Sequence, residues 1–185
     1  MDDSRQGWPT FVAVMVAAIA ADLVSKEAIF ARLGMPATSP PIVLIPRLLV
    51  LETNLNEGAL FGMGQGMGFV FAAVSVAALA GILAMVARAD TRRSPWLLVS
   101  LALICGGIIG NLYDRLGLPG LRWHLPPDRA GQAVYAVRDW IHFTLPGVID
   151  WPIFNIADSF LVVGAGMLLI ATLRTPPDSA TVPPT

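Results

Sequence analysis

From Phe69 to about Ala87 the chain runs without a charged residue for long enough to cross the hydrocarbon core of a bilayer, which makes this stretch a transmembrane helix. Three further apolar runs accompany it, and the helices are expected at about 8–30, 69–87, 96–115 and 155–173. Composition agrees: 55% of residues are apolar and only 14% are charged, against about a quarter charged in soluble domains. The chain therefore reads as an α-helical integral membrane protein with four transmembrane helices, one membrane-embedded domain over 1–175 and a disordered Pro- and Thr-rich tail at 176–185. A net charge of −1 leaves no basic stripe to neutralise a phosphate backbone, so nucleic acid is excluded as a partner. Cys105 is the single cysteine, which rules out an intrachain disulfide and reads as a small packing residue.

The first run is no signal peptide: it lacks a basic leading region, is too long, and carries Asp22 and Lys26 with no small-residue cleavage site after them. Arg88, Arg92 and Arg93 crowd the short connection between the second and third helices, and short arginine-rich loops stay in the cytoplasm. Both termini are then cytoplasmic, and the loops at about 31–67 and 116–153 lie outside. Arg32, Arg47, Arg115, Arg122, Arg129 and Arg138 fall on the outer side in this arrangement, but long translocated loops weigh less in the rule. In the first outer loop, prolines at 36, 40, 41 and 46 stop any helix, and Ile42 to Leu55 reads as one or two strands. Gly62, Gly64, Gly66 and Gly68 follow, a segment open to close backbone approach.

Polar residues recur at the span boundaries. Asp22 and Lys26 stand at i and i+4, where opposite charges meet on one helix face. Gly106 and Gly110 form a small-xxx-small step, with Asn111, Asp114 and Arg115 continuing beyond it. Asn155 and Asp158 repeat the spacing of Asn111 and Asp114 at the start of the last helix. A carboxylate beside a span-length run costs at least a few kcal/mol near the bilayer centre, so Asp158 is a functional candidate by default. Two carboxylates at close range share one proton, one serving as base and the other as acid, which is what an aspartic protease requires. Metal hydrolysis is disfavoured, since His124 and His142 lack ligand spacing, and Ser159 has no base at a recognisable spacing. A small proton-coupled transporter or channel is the alternative, and it would distribute its acids across membrane depth.

Four blocks, Asp22-x-x-x-Lys26, Asn56-x-Gly58-x-x-Phe61, Gly106-x-x-x-Gly110-Asn111-x-x-Asp114-Arg115 and Phe154-Asn155-x-Ala157-Asp158-Ser159, resemble bacterial lipoprotein signal peptidase (signal peptidase II) in content and order over roughly residues 10–174. The resemblance implies an inner-membrane aspartic endopeptidase with a small extracytoplasmic β-containing cradle and an active site near the outer face. Its substrates would be diacylglyceryl-modified prolipoproteins, cleaved before the lipidated cysteine, with membrane lipids as the other partner. It also implies a monomer that needs no metal or organic cofactor. One catalytic acid maps onto Asp158. Its partner has two candidates, Asp139 and Asp150; Asp139 is preferred because Asp150 lies only eight positions before Asp158 and would require a very tight return. Asp114 resembles a supporting acid beside Arg115. Asn111, Arg115 and Asn155 would orient the pair and the peptide, and Asn56 and Gly58 would face the substrate. Asp22, Lys26, Gly110 and Ala157 complete the supporting set.

Overall fold

The computed structural model describes residues 7–58, 64 and 66–174. The expected tail at 176–185 and Phe61 and Gly62 lie outside the described residues. Helix α1 spans Trp8–Leu33 and begins with Pro9, whose missing N–H has no intrahelical partner to lose at that position. It runs one turn past the expected end because Phe30 and Leu33 keep the buried stripe going, and it stops at Gly34 with φ +75°. Helix α2 spans Gly68–Val86, and a single turn, α3, covers Ala89–Arg92. Helix α4 spans Pro95–Arg115 behind a Ser94 cap, and α5 runs Ile156–Arg174. Among the described residues, α1, α2, α4 and α5 are long and apolar enough to cross a membrane.

Helix α4 is central and packs against α1, α2 and α5. Missing side chains set these distances. A Cβ on Gly106 would stand 2.5 Å from the Ala18 Cβ, and one on Gly107 2.6 Å from the Ala157 carbonyl oxygen. The small-xxx-small step is therefore where α4 lies directly on α1, with Gly107 admitting α5 on the adjoining face. Phe11, Val86, Leu98, Leu101, Ala102 and Cys105 form an apolar core at one end of the bundle. Arg92 closes that end by donating to the Val86 and Ala87 carbonyls, which the terminus of α2 leaves without helical partners. Val74, Val76, Val162 and Leu169 point outward from α2 and α5, as residues facing acyl chains do.

The other end carries a four-stranded antiparallel sheet in the order β1 (Ile42–Ile45), β2 (Leu49–Asn56), β3 (Val137–Leu145), β4 (Ile149–Asp150). Pairing β2 with β3, with Asn54 opposite Asp139, puts the two long loops on one side of the bundle. Strands β3 and β4 arise in a region where the sequence offered no readable strand. The reason is local: Val137, Arg138 and Asp139 are all buried, so β3 starts without the alternation of a half-buried strand. Beyond β4, Phe154 exchanges backbone hydrogen bonds with Ile141 at 2.8 and 3.0 Å, fixing the entrance of α5 against β3.

Two glycine substitutions test this packing. Gly107→Ala must push α4 away from α5 and should destabilise the protein by about 1–3 kcal/mol. Gly81→Ala, in α2 with open space around it, should leave stability unchanged or raise it. Thermal unfolding of both variants in the same detergent reads the difference.

Candidate active site

Where α1, α4 and α5 meet the sheet, a set of polar side chains is withdrawn from solvent: Asp22, Lys26, Asn111, Asp114, Arg138, Asp139 and Asn155 are all buried. Groups of this kind persist only when each finds partners. The Lys26 ammonium sits at the centre, 2.7 Å from Asp22 Oδ2, 3.0 Å from Asp114 Oδ2 and 3.0 Å from Asn111 Oδ1. Lys26 and Asp22 are 0% exposed, so the i,i+4 pair is no snorkelling helix end; it is an interior ion pair shared with a second helix. Asp22 Oδ1 also accepts the Ala157 N–H at 2.9 Å, joining α1 to the first turn of α5. Gly110 makes this possible, because a Cβ there would collide with the Asp22 carboxylate.

Asn155 and Asp158 are organised by the start of α5. The Asp158 N–H donates to Asn155 Oδ1 at 2.9 Å and the Asn155 N–H to Asp158 Oδ2 at 3.2 Å, a reciprocal capping box built from an amide and a carboxylate. With Asn155 Oδ1 engaged in the cap, its Nδ2 turns inward and donates to Asp139 Oδ1 at 2.6 Å and to Asn111 Oδ1 at 3.1 Å. Asn111 Nδ2 in turn donates to Asp158 Oδ1 at 2.8 Å. One asparagine thus holds both Asp139 and Asp158, the first through its side chain and the second through its backbone. The Asn56 side chain also hydrogen-bonds the Asp139 carboxyl, so the acid is held from β2 as well as by Asn155. Burial, followed by the nearby Asp158 charge, pushes the Asp139 carboxyl up to about 7.

Asp150 is elsewhere. Its side chain is 74% exposed and pairs with His142 Nε2 at 2.7 Å, while Glu52 holds the other ring nitrogen. Partial burial opposes the charged imidazole, yet the hydrogen bonds it donates to Asp150 and Glu52 leave His142 above its usual range. Of the two candidates, the structure brings Asp139 to Asp158 and leaves Asp150 on the outer part of the sheet.

Arg115 donates to the Gly58 carbonyl at 3.1 Å, and the Gly58 N–H donates to Asn56 Oδ1 at 3.0 Å. Both Gly58 backbone groups are therefore taken within the chain, and the glycine ties Arg115 to the end of β2. Two clefts flank the site. One, of about 420 Å³, is lined by Glu57, Phe69, Ala72, Arg115 and Tyr135; the other, of about 310 Å³, by Trp151, Phe154, Asp158, Val162 and Val163. Sequence reasoning missed Arg138, which bonds Asp114, and the Glu57–Arg129 pair at 2.6 and 2.8 Å. An arginine next to a candidate acid was the available signal for the first.

A family model described as Signal peptidase (SPase) II matches residues 14–174. A lipoprotein signal peptidase of Rhodopirellula baltica is 48% identical over 163 residues, covering 86% of this chain and 70% of the relative. The chain belongs to the signal peptidase II family. A second relative, the lipoprotein signal peptidase of Chlorobium luteolum, is 34% identical over 169 residues, or 87% of this chain and 89% of its own. A solved bacterial membrane enzyme superposes with a TM-score of 0.73 at 26% identity, covering 90% of this chain and 88% of that one. As a signal peptidase II, the chain is a multi-pass membrane protein and an aspartic peptidase with lipoprotein signal peptidase activity.

Two measurements follow from the geometry. Asn155→Ala removes the cap of α5 and the bridge to Asp139, and should cost about 1–3 kcal/mol in thermal unfolding. Asp139 binds its proton more tightly folded than unfolded, since its carboxyl rises from 3.8 to about 7. The wild type should therefore lose stability relative to Asp139→Asn as pH rises from about 4 to 7, by at most about 4 kcal/mol, and the difference should level off above that range.

Proposed function

We propose that this signal peptidase II cleaves diacylglyceryl-modified prolipoproteins just before the lipidated cysteine, with Asp139 and Asp158 as the catalytic pair. The observation that carries this reading is the Asn155 bridge, which holds two carboxyls from different elements side by side. Asp158 lines an open cleft, where a water and a peptide can reach it, and serves as the base. Asp139 is the enclosed member and holds the proton near neutral pH. In the forward reaction Asp158 takes a proton from water as its oxygen attacks the scissile carbonyl, and Asp139 protonates the carbonyl oxygen. In the collapse of the tetrahedral species the C–N bond breaks, a diol hydroxyl returns its proton to Asp139 as the carbonyl re-forms, and the proton held by Asp158 passes to the departing amine.

Supporting roles follow from position. Asn111 and Asn155 orient the pair, and Lys26, Asp22 and Asp114 hold Asn111 and the helix ends in place. Arg115 lies within electrostatic reach of Asp158 and Asp139 and faces the peptide, while Asn56, bonded to Asp139 and to the Gly58 N–H, holds the end of β2 beside the pair. The charged groups gather at one end of the bundle, which favours a peptidase over a proton relay running through the membrane. The opposite end carries the Arg88, Arg92 and Arg93 connection, which supports cytoplasmic termini and an active site near the outer face of the bacterial inner membrane. The flanking clefts, beside apolar helix faces, suit lateral entry of acyl chains and signal peptide from the bilayer.

With purified protein and a lipidated prolipoprotein, Asp139→Asn and Asp158→Asn should each lower cleavage by roughly a hundredfold or more, while Asp150→Asn stays near wild type. Retained cleavage by folded Asp158→Asn, or loss in Asp150→Asn alone, would overturn the assignment. The rate should fall as pH rises through about 7, where Asp139 gives up its proton.

A further inference from the structure

Arg138 precedes Asp139 on β3 and is 2% exposed. Its backbone N–H donates to Asp114 Oδ2 at 3.1 Å and its Nε to Asp114 Oδ1 at 2.9 Å, so a single residue grips both oxygens of one carboxylate. Its Nη1 reaches Glu27 Oε2 on α1 at 3.1 Å, and the guanidinium lies 5.8 Å from the centre of the Phe30 ring. Charge balance alone does not call for this arrangement at Asp114, which already has Lys26 at 3.0 Å. What the second cation adds is geometric. Main-chain and side-chain bonds to the same carboxylate fix the height of β3 over α4 and its rotation about its own axis, one residue before Asp139.

The bonds also close a circuit. From Asp139 the path runs through Asn155 to Asn111, Lys26 and Asp114, and returns through Arg138 along the backbone to Asp139. Every other link joins helices to one another or to a side-chain oxygen. Arg138 is the link that ties the strand to α4 and α1, while the backbone bonds of Trp140 and Ile141 to Phe154 tie it to the entrance of α5.

We propose that Arg138 is a positioning residue for the reaction, clamping the strand that bears Asp139 to α4 through Asp114 and to α1 through Glu27. This rests on the reading of Asp139 and Asp158 as the catalytic pair. Loss of the clamp lets Asp139 shift against Asp158 while the clefts stay intact, so the effect falls on turnover rather than on substrate binding. The charged groups around Asp139 are Asp158 from α5, Lys26 from α1, and Asp114 and Arg115 from α4. Arg138 pairs with Asp114 and Glu27 beside this set, so removing its charge leaves Asp114 less compensated and strengthens proton binding by the acids of the cluster.

The test is steady-state cleavage of a lipidated prolipoprotein by the full chain across pH, comparing Arg138→Gln and Arg138→Lys with wild type and Asp139→Asn. Arg138→Gln should lower kcat by roughly ten- to a hundredfold with KM within about threefold, and move the alkaline limb to higher pH. Arg138→Lys keeps the charge but loses the planar fork, so it should recover part of kcat and leave the limb in place. A role confined to packing would reduce the folded fraction without moving the limb. Wild-type kcat and an unmoved limb in folded Arg138→Gln would overturn the inference. If Arg138→Gln does not fold, Arg138→Lys decides: lowered kcat at constant KM supports the clamp, and wild-type kcat overturns it. An active Asp139→Asn would instead sink the underlying assignment.

Discussion

The interaction on which the rest of the structure depends is the burial of the Lys26 ammonium among Asp22, Asp114 and Asn111. Withdrawing an ammonium and two carboxylates from water is costly, and it is sustained only because each atom has a partner at hydrogen-bond distance. Breaking any one contact strands a charge at the end of a membrane bundle. This constraint fixes the depth of α1 against α4 and, through Asp22 and the Ala157 N–H, the depth of α5 against both. Helices in a bilayer have no hydrophobic driving force to set their register, and here polar contacts and missing side chains supply it.

The same economy governs the acids. Asn155 ends the backbone's need for a cap at α5 and, in doing so, has its amide oriented with the NH2 facing inward. Asp158 gives one oxygen to that cap and the other to Asn111. Local helix chemistry and the placement of the paired carboxyls are thus one set of bonds, so a change meant to affect only stability at residue 155 also disturbs the site.

Much of this was legible from residue order. Phe69 to Ala87 could only be a span, and the Asp22 and Lys26 spacing foretold a contact on one face of a helix. Gly106 and Gly110 announced a close helix crossing, which Ala18 and Asp22 occupy. The Asn-x-x-Asp repeat was readable as spacing, yet its two copies do different things: Asn155 and Asp158 form a cap, whereas Asn111 and Asp114, on the last turns of α4, both meet Lys26 and reach on to Asp158 and Arg138 respectively. β3 stayed hidden because its buried polar start obscures the pattern on which strand reading relies. Spacing alone favours Asp139 over Asp150; that Asp139 lies beside Asp158 rests on the pairing of Asn54 with Asp139 and the bridge of Ile141 to Phe154, contacts between distant segments that no local pattern encodes.

The pairing of Asp22 with Lys26 inside α1 has a meaning for biosynthesis. The first helix reaches the membrane before residues 114 and 157 have been made, so an acid or a base there without a companion would have to wait unpaired in lipid. Because its charges stand one turn apart on the same helix, α1 carries its own counter-ion during insertion. Its permanent partners arrive later, and Ala157, 135 residues downstream of Asp22, is among the last. A nascent chain can therefore settle in the bilayer early, while the site it will build is assembled only when the final span comes home.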